Sequence, residues 1–101
     1  MAKLGIMVRG TDYLDYVINT AKAAHKKGIE VQIFFTGKGV LLTQEERFKE
    51  LVDCAKLYVC DVSFRAYGLE GKEVSGVGFK QFVTQARNAE MIEECDRYLV
   101  F

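Results

Sequence analysis

Short apolar runs alternate with helix-like segments along the whole chain, and this alternation constrains the fold more than any other feature. The apolar runs predict five β-strands, at residues 3–8, 29–35, 56–60, 73–78 and 98–101. The segments between them predict helices from about residue 12 to 27, from 43 to about 54, from 61 to about 67 and from 79 to about 88 or 89. Regular strand–helix alternation is typical of a parallel sheet with helices on both faces. The sequence thus predicts an α/β fold with a mostly parallel five-stranded sheet, but not the order of the strands.

Capping residues mark the ends of the predicted helices. Thr11 or Asp12 suits the N-cap of the first helix, and Gly28 ends that helix after two lysines. The segment Thr43-Gln44-Glu45-Glu46 resembles a capping box, which predicts the start of the second helix. The apolar run at residues 40–42 lies just before it and suits the core, a lid or a contact surface between subunits.

The length and composition fit one small domain over residues 1–101. Half of the 101 residues are hydrophobic, and 14 basic residues balance 14 acidic ones. This balance argues against nucleic acid as the main partner, because domains that bind it usually have a net basic surface. The sequence shows no signal peptide and no apolar stretch near the roughly 20 residues that span a bilayer. We therefore expect a cytoplasmic protein with no membrane attachment.

The three cysteines are better interpreted singly than as disulfides or metal ligands. Cytoplasmic thiols stay reduced, and the chain has no CxxC pair and a single histidine, so we expect no metal and no cofactor. In open parallel sheets, ligands bind beyond the carboxyl ends of the strands. Cys60 ends the third predicted strand, whereas Cys54 and Cys95 precede strands. We therefore expect Cys54 and Cys95 to be packing residues at the opposite edge.

Cys60 is the candidate catalytic residue. It lies where the third strand meets a helix, and the N-terminus of a helix stabilises thiolate, the reactive form of cysteine. Asp61 opposes ionisation by its charge, and Arg65, just over one turn along, could offset that effect. His25 is predicted at the opposite edge, too far away to act as a base. Position alone leaves a reactive thiol and a small packing residue equally open.

Loops at the same edge supply candidate binding residues. The loop after the first strand could hold an anion through backbone N–H groups, a hydroxyl and a guanidinium, although a capped turn with an exposed arginine explains it better. The loop after the second strand lacks the phosphate-loop pattern. The short GxG at residues 76–78 is a weak signal for binding, and a tight turn explains it better. The candidate binding residues are Arg9, Gly10, Thr11, Thr36, Gly37, Arg65 and Gly76.

Three segments of the chain resemble one known family. Residues 57–69, which read LYVCDVSFRAYGL, contain a cysteine that ends a strand and a glycine eight positions later. Residues 34–40 resemble the second strand and glycine-containing loop of that family, and residues 95–101 resemble its acidic turn and terminal strand. In these features the chain is similar to the DsrE/DsrF-like family, which includes the TusD-like sulfur-relay proteins.

The resemblance implies both a fold and a function. It implies a three-layer α/β/α domain that forms homo-oligomers, often trimers or hexamers. It also implies that Cys60 accepts sulfur as a persulfide from a donor protein and passes it to an acceptor, as a sulfurtransferase without metal or organic cofactor. The chain departs from the TusD type at Ala66 and Tyr67, where those relatives usually have basic residues before the glycine.

A second interpretation gives Cys60 no chemistry. The chain would then be a non-catalytic module that binds a small anion at the strand ends or assembles into oligomers, with Cys60 a buried structural residue. The two interpretations differ in the solvent access and pKa of the Cys60 thiol.

Overall fold

The computed structural model describes residues 2–101, which form five β-strands, three α-helices and three 3-10 segments. The strands are β1 (Lys3–Val8), β2 (Glu30–Phe35), β3 (Lys56–Cys60), β4 (Phe82–Val83) and β5 (Arg97–Val100). The α-helices are α1 (Leu14–Lys26), α2 (Asp61–Ala66) and α3 (Gln85–Glu94). The 3-10 segments are Gly37–Gln44, Glu46–Leu51 and Phe79–Gln81.

The strands form one sheet in the order β4-β3-β2-β1-β5, and every pairing is parallel. The predicted five-stranded parallel sheet is therefore confirmed. In this order β3 lies between β2 and β4. The carboxyl ends of all three strands meet at one edge, with Phe35 paired to Val59 and Cys60 paired to Val83.

The two faces of the sheet carry cores of unequal size. On one face, Ile33 and Phe35 belong to the larger core, to which α1, α2 and two 3-10 segments contribute. Phe34 lies between them in sequence and points to the other face, as period-two alternation requires. There it packs with Cys60 and with Met91 of α3. The helices thus cover both faces, in agreement with the predicted α/β/α layering.

Two predictions about the first two helices are wrong, one about where a helix starts and one about its type. The N-cap of α1 is Tyr13, which makes no side-chain capping hydrogen bond, rather than Thr11 or Asp12. The segment after residue 43 forms a 3-10 helix instead of an α-helix. Phe48 and Leu51 are both fully buried, and their spacing of three residues places them on one side of a helix with three residues per turn.

The apolar run at residues 40–42 belongs to the core. Val40 is fully buried and Leu42 is 3% exposed, so these two residues are neither a lid nor a free contact surface. Thr43 continues this segment rather than starting a helix as a capping box, because its hydroxyl donates to the Val40 carbonyl at 2.7 Å.

The fourth strand lies later in the chain than predicted. Residues 73–78 form no strand, β4 is the pair Phe82–Val83, and α3 begins only at Gln85 rather than near residue 79. Gly76 has a φ of +71°, a left-handed conformation that an extended strand does not contain. Because of this turn, the chain rejoins the sheet only at Phe82.

Side-chain hydrogen bonds fix the position of β4 beside β3. The Gln81 amide donates to the Leu57 carbonyl at 2.9 Å and accepts from the Gly78 N–H at 2.8 Å. Thr84 then caps α3, because its hydroxyl accepts from the Ala86 N–H at 3.3 Å. The sequence between β4 and α3 is therefore a single capping residue.

None of the helices within residues 2–101 has the length and apolar character needed to cross a bilayer.

Gly39 provides a test of how tightly the loop after β2 packs on β1. Its N–H donates to the carbonyls of Arg9 and Thr36 at 3.1 and 3.0 Å, and a Cβ there would lie 2.3 Å from the Val8 carbonyl oxygen. We expect Gly39→Ala to lower the free energy of unfolding by about 1–3 kcal/mol, because backbone must move to relieve this overlap. Urea unfolding followed by circular dichroism measures the change.

Gly10→Ala is the matched control, because a Cβ at Gly10 meets no atom within 4 Å. We expect its unfolding free energy to stay within about 0.5 kcal/mol of the wild type. Equal stability of the two variants would show that the loop after β2 is not packed as described.

Candidate functional site

Cys60 lies at the carboxyl edge of the sheet, where β3 ends and α2 begins. It is the last residue of β3 and the N-cap residue of α2. The apolar residues of β3 anchor this strand between β2 and β4, so the position of the thiol is fixed by sheet pairing. Cys60 is 5% exposed and packs against Phe34 and Met91. The thiol is thus nearly buried at the edge where ligands bind in such sheets.

A hydrogen bond joins the loop after β2 to α2 beside this thiol. The Gly37 N–H donates to the Ser63 hydroxyl oxygen at 2.9 Å. Gly37 has a φ of +53°, which glycine adopts without the cost that a Cβ imposes. Because Gly37 occupies a lone pair of the Ser63 oxygen, the single hydroxyl hydrogen of Ser63 is still available for donation.

A second hydrogen bond reaches the same place from the start of α3. The Gln85 amide nitrogen donates to the Thr36 hydroxyl oxygen at 3.0 Å. Thr36 is 8% exposed. Its hydroxyl, like that of Ser63, thus accepts one hydrogen bond and keeps its own hydrogen to donate.

These donors lower the pKa of the Cys60 thiol below its ordinary value. Burial is the largest single influence and raises the pKa. Hydrogen bonding by the hydroxyl and N–H of Ser63, the Thr36 hydroxyl and the Val62 N–H outweighs it. Neither N–H group makes a close side-chain capping hydrogen bond with the Cys60 sulfur. The site therefore favours thiolate by several separate donors rather than by the dipole of a six-residue helix.

The other two cysteines have the opposite character. All three cysteines are free. Burial raises the pKa of Cys54, whose thiol donates to the carbonyls of Glu50 and Leu51. Burial, followed by the charge of Glu94, raises the pKa of Cys95. Each residue lies two positions before the start of a strand, at the opposite edge of the sheet, in agreement with the predicted packing roles.

Asp61 and Arg65 form an ion pair within α2. The guanidinium lies 2.7 Å from the carboxylate, and Arg65 follows Asp61 by four positions along the helix. Arg65 therefore offsets the charge of Asp61 beside Cys60, as the sequence suggested. Both side chains also line an open groove with Phe64, Phe82 and residues 70–72. An anion-binding role for Arg65 stays a prediction.

The loop after β1 lies farther from Cys60 than the loop after β2. β2 separates β1 from β3, so the ends of β1 and β3 are about 10 Å apart at two strand spacings. Arg9 lines a groove with Tyr13 and Phe101, and Thr11 lines a different groove with Glu45. Gly10 has open space around it. The structure does not bring these side chains together with Cys60, and their binding role stays a prediction.

Gly76 lies near the start of β3 rather than its end. A Cβ at Gly76 would lie 2.9 Å from the Val52 side chain, in the turn that leads into β3. The Gly76 carbonyl accepts from the Gln81 amide at 3.4 Å. Its turn and packing explain its presence, and its predicted binding role has no support from this position.

Sequence reasoning missed Ser63 and Gln85. Ser63 had a usable signal, because the third residue after a strand-ending cysteine falls in the first turn of the helix and faces back to the cap. Gln85 had none, because the sequence predicted it inside a helix that begins at Phe79. Thr36 and Gly37 were predicted as binding residues; both lie near Cys60, and their binding role stays a prediction.

Within residues 2–101, no group of three or more His, Cys, Asp and Glu side chains is arranged to hold a metal ion. His25 is exposed and lies with Cys54 and Lys56 at the opposite edge of the sheet. It therefore has no place in the chemistry of Cys60.

Comparison with known proteins places the chain in a family. No curated protein matches the chain. The family model described as the DsrE/DsrF-like family matches residues 2–101, which covers every strand, every helix and the Cys60 site. The chain therefore belongs to the DsrE/DsrF-like family.

Proposed function

We propose that this protein is a sulfur carrier that accepts and passes on sulfane sulfur as a persulfide on Cys60. The observation that carries the proposal is the set of hydrogen-bond donors around a nearly buried thiol, which lowers its pKa despite burial. Membership of the DsrE/DsrF-like family supports a role of the sulfur-relay type. The thiolate is the nucleophile in such chemistry, so a lowered pKa raises the reactive fraction near neutral pH.

In the loading step, the Cys60 thiolate attacks the outer sulfur of a donor persulfide. A new S–S bond forms between Cys60 Sγ and that sulfur as the S–S bond of the donor breaks. The electron pair of the broken bond leaves with the inner sulfur of the donor, which becomes a thiolate. The proton of the donor persulfide stays on the transferred sulfur until solvent removes it. One thiolate is consumed and one is formed, so the step needs no oxidant or reductant.

In the unloading step, an acceptor thiolate attacks the outer sulfur of the Cys60 persulfide. The acceptor gains the sulfane sulfur, and Cys60 leaves as a thiolate. Ser63 and Thr36 stabilise that leaving thiolate through the same hydroxyl groups that stabilise the attacking form. The Cys60 thiolate is the nucleophile in the loading step and the leaving group in the unloading step, so one fixed set of donors serves both steps.

The alternative of a non-catalytic module accounts for part of this site. It explains why Cys60 is 5% exposed and packs with Phe34 and Met91. It does not explain why polar donors gather around that sulfur, because a packing cysteine needs no hydrogen bonds. The proposed carrier accounts for both observations.

We extend the proposal to a homo-oligomer, a trimer or hexamer, that works with donor and acceptor proteins in the cytoplasm. Exposed apolar side chains support assembly: Tyr16 is 63% exposed, Val100 49% and Phe79 93%. Three free cysteines suit a reducing compartment.

The first test is sulfur loading. After incubation with a low-molecular-weight persulfide, we expect peptide mass spectrometry to find one added sulfur atom on Cys60. Cys95→Ser is the matched control, because Cys95 is partly buried and burial raises its pKa, and it should load like the wild type. Loading should be lost in Cys60→Ser. An unloaded wild type, or loading that persists in Cys60→Ser, would refute the carrier.

The second test is the pH dependence of thiol reactivity. Because hydrogen bonding lowers the pKa of Cys60, the thiolate fraction should rise and level off at lower pH than for the same residue in the urea-unfolded chain. Rates of iodoacetamide alkylation at each pH, resolved by peptide mass spectrometry, give this pKa.

Ser63→Ala should raise the Cys60 pKa by roughly one unit, because one hydroxyl donor to a charged group is lost. The matched control is Ser75→Ala, since Ser75 lies in the segment before β4 and away from the strand end. A Cys60 pKa equal in folded and unfolded protein would favour the non-catalytic module.

A further inference from the structure

Gln85 bridges two strand ends that lie on either side of Cys60. Val83 of β4 pairs with Cys60, and only Thr84 separates β4 from Gln85. Thr36 directly follows β2, on the other side of β3. The ends of β2 and β4 are about 10 Å apart at two strand spacings. The hydrogen bond of 3.0 Å between Gln85 and Thr36 therefore crosses the carboxyl end of β3, where Cys60 lies.

α3 is anchored firmly enough to hold this bridge in place. The Arg87 guanidinium donates to the Gln32 side-chain oxygen at 2.7 Å and lies over the Tyr58 ring, 4.7 Å from its centroid. Gln32 is 2% exposed, so the contact is inside the protein. Arg87 is two residues from Gln85, and this anchor fixes the first turn of α3 on the sheet.

The direction of the Gln85–Thr36 hydrogen bond decides where the Thr36 hydroxyl hydrogen goes. A threonine hydroxyl has one hydrogen and two lone pairs. When the Gln85 amide N–H donates to Thr36, the hydroxyl hydrogen is left to donate elsewhere. Hydrogen bonds in such a chain polarise one another, so the second is strengthened by the first.

We propose that Gln85 is a positioning residue for Cys60, holding the Thr36 hydroxyl so that its hydrogen is donated to the Cys60 sulfur. Gln85 does not itself contact the sulfur in this role. The inference deepens the proposed carrier function and rests on it, because the Thr36 donor would stabilise Cys60 as attacking and as leaving thiolate.

Other charged or titratable groups near Cys60 also affect its pKa, so they have to stay unchanged when Gln85 is substituted. On β2, β3, α2, α3 and the loops and strand beside them, these groups include Arg9, Glu30, Lys38, Lys56, Tyr58, Asp61, Arg65, Arg87, Glu90, Glu93, Glu94, Cys95, Arg97 and Tyr98. Asp61 is paired with Arg65, and Arg87 is paired with Glu90 and Glu94 at 3.4 and 3.6 Å. A neutral substitution at Gln85 changes none of these charges, so its effect on Cys60 can be assigned to the hydrogen bond.

The test compares the Cys60 pKa in variants of Gln85, again from alkylation rates across pH. Gln85→Met keeps the length of the side chain and removes its donor. We expect it to raise the pKa by about half a unit and to slow alkylation about threefold at pH below the pKa. Gln85→Glu should raise the pKa further, because a carboxylate accepts the Thr36 hydrogen and adds negative charge.

Gln44→Met is the matched control, because the Gln44 amide also donates to a buried threonine hydroxyl, Thr43, at 3.3 Å. This pair lies in the segment after β2 and has no contact with Cys60, so the Cys60 pKa should be unchanged. Thermal unfolding of each variant shows whether the fold is retained.

Two further variants identify Thr36 as the intermediate. Thr36→Val should raise the Cys60 pKa, and adding Gln85→Met to Thr36→Val should raise it no further. Thr36→Ser keeps the hydroxyl and should restore the wild-type pKa.

The inference is overturned if Gln85→Met leaves the Cys60 pKa unchanged or lowers it, or if its effect persists with Thr36→Val. A lowered pKa would mean that Gln85 accepts the Thr36 hydrogen instead of donating to its oxygen. These measurements need no sulfur donor. A protein that never forms a persulfide would therefore refute the carrier function and still give a clear result for Gln85.

Discussion

Parallel pairing of β3 between β2 and β4 is the constraint on which the site depends. It sets the end of β3 between two other strand ends, so that residues far apart in sequence meet at Cys60. Thr36 arrives from β2 and Gln85 from β4, while Ser63 belongs to the helix that follows β3 itself. β4 has just two residues, yet its pairing with Cys60 determines where α3 begins. The shortest strand of the sheet thus determines the position of Gln85 beside Cys60.

Two opposing effects determine the pKa of the buried Cys60 thiol. Removal of Cys60 from water disfavours the thiolate, and this is the largest single influence on its pKa. The hydroxyl groups and N–H groups nearby reverse it because each supplies a hydrogen to the ionised sulfur. Cys54 shows the result without such donors, since its thiol donates to two carbonyls and burial raises its pKa. Local hydrogen bonding therefore distinguishes Cys60 from Cys54, whose burial is similar.

The sequence predicted those parts of the fold and site that depend on local pattern. β1 and β3 begin and end where their apolar runs do, and the strand-end rule separated Cys60 from the other cysteines. The displacement of β4 was not predictable, because Gly76 adopts a left-handed turn and Gln81 binds the backbone of β3. The position of Gln85 at the start of α3 follows from the displacement of β4, so its contact with Thr36 could be seen only in the tertiary structure. Long-range hydrogen bonds leave no periodic signal in a single sequence.

A sulfur carrier places two demands on one thiol, and they limit how far its pKa should fall. Cys60 would attack a donor in one step and leave from its own persulfide in the next. Intrinsic nucleophilicity falls as the pKa of a thiol falls, whereas departure becomes faster. A very low pKa would favour release over loading. Burial raises the pKa of Cys60 and so acts against the donors from Ser63 and Thr36. The near-burial of Cys60 is therefore part of the proposed chemistry, because it opposes the stabilisation of the thiolate by its neighbours and so favours attack over departure.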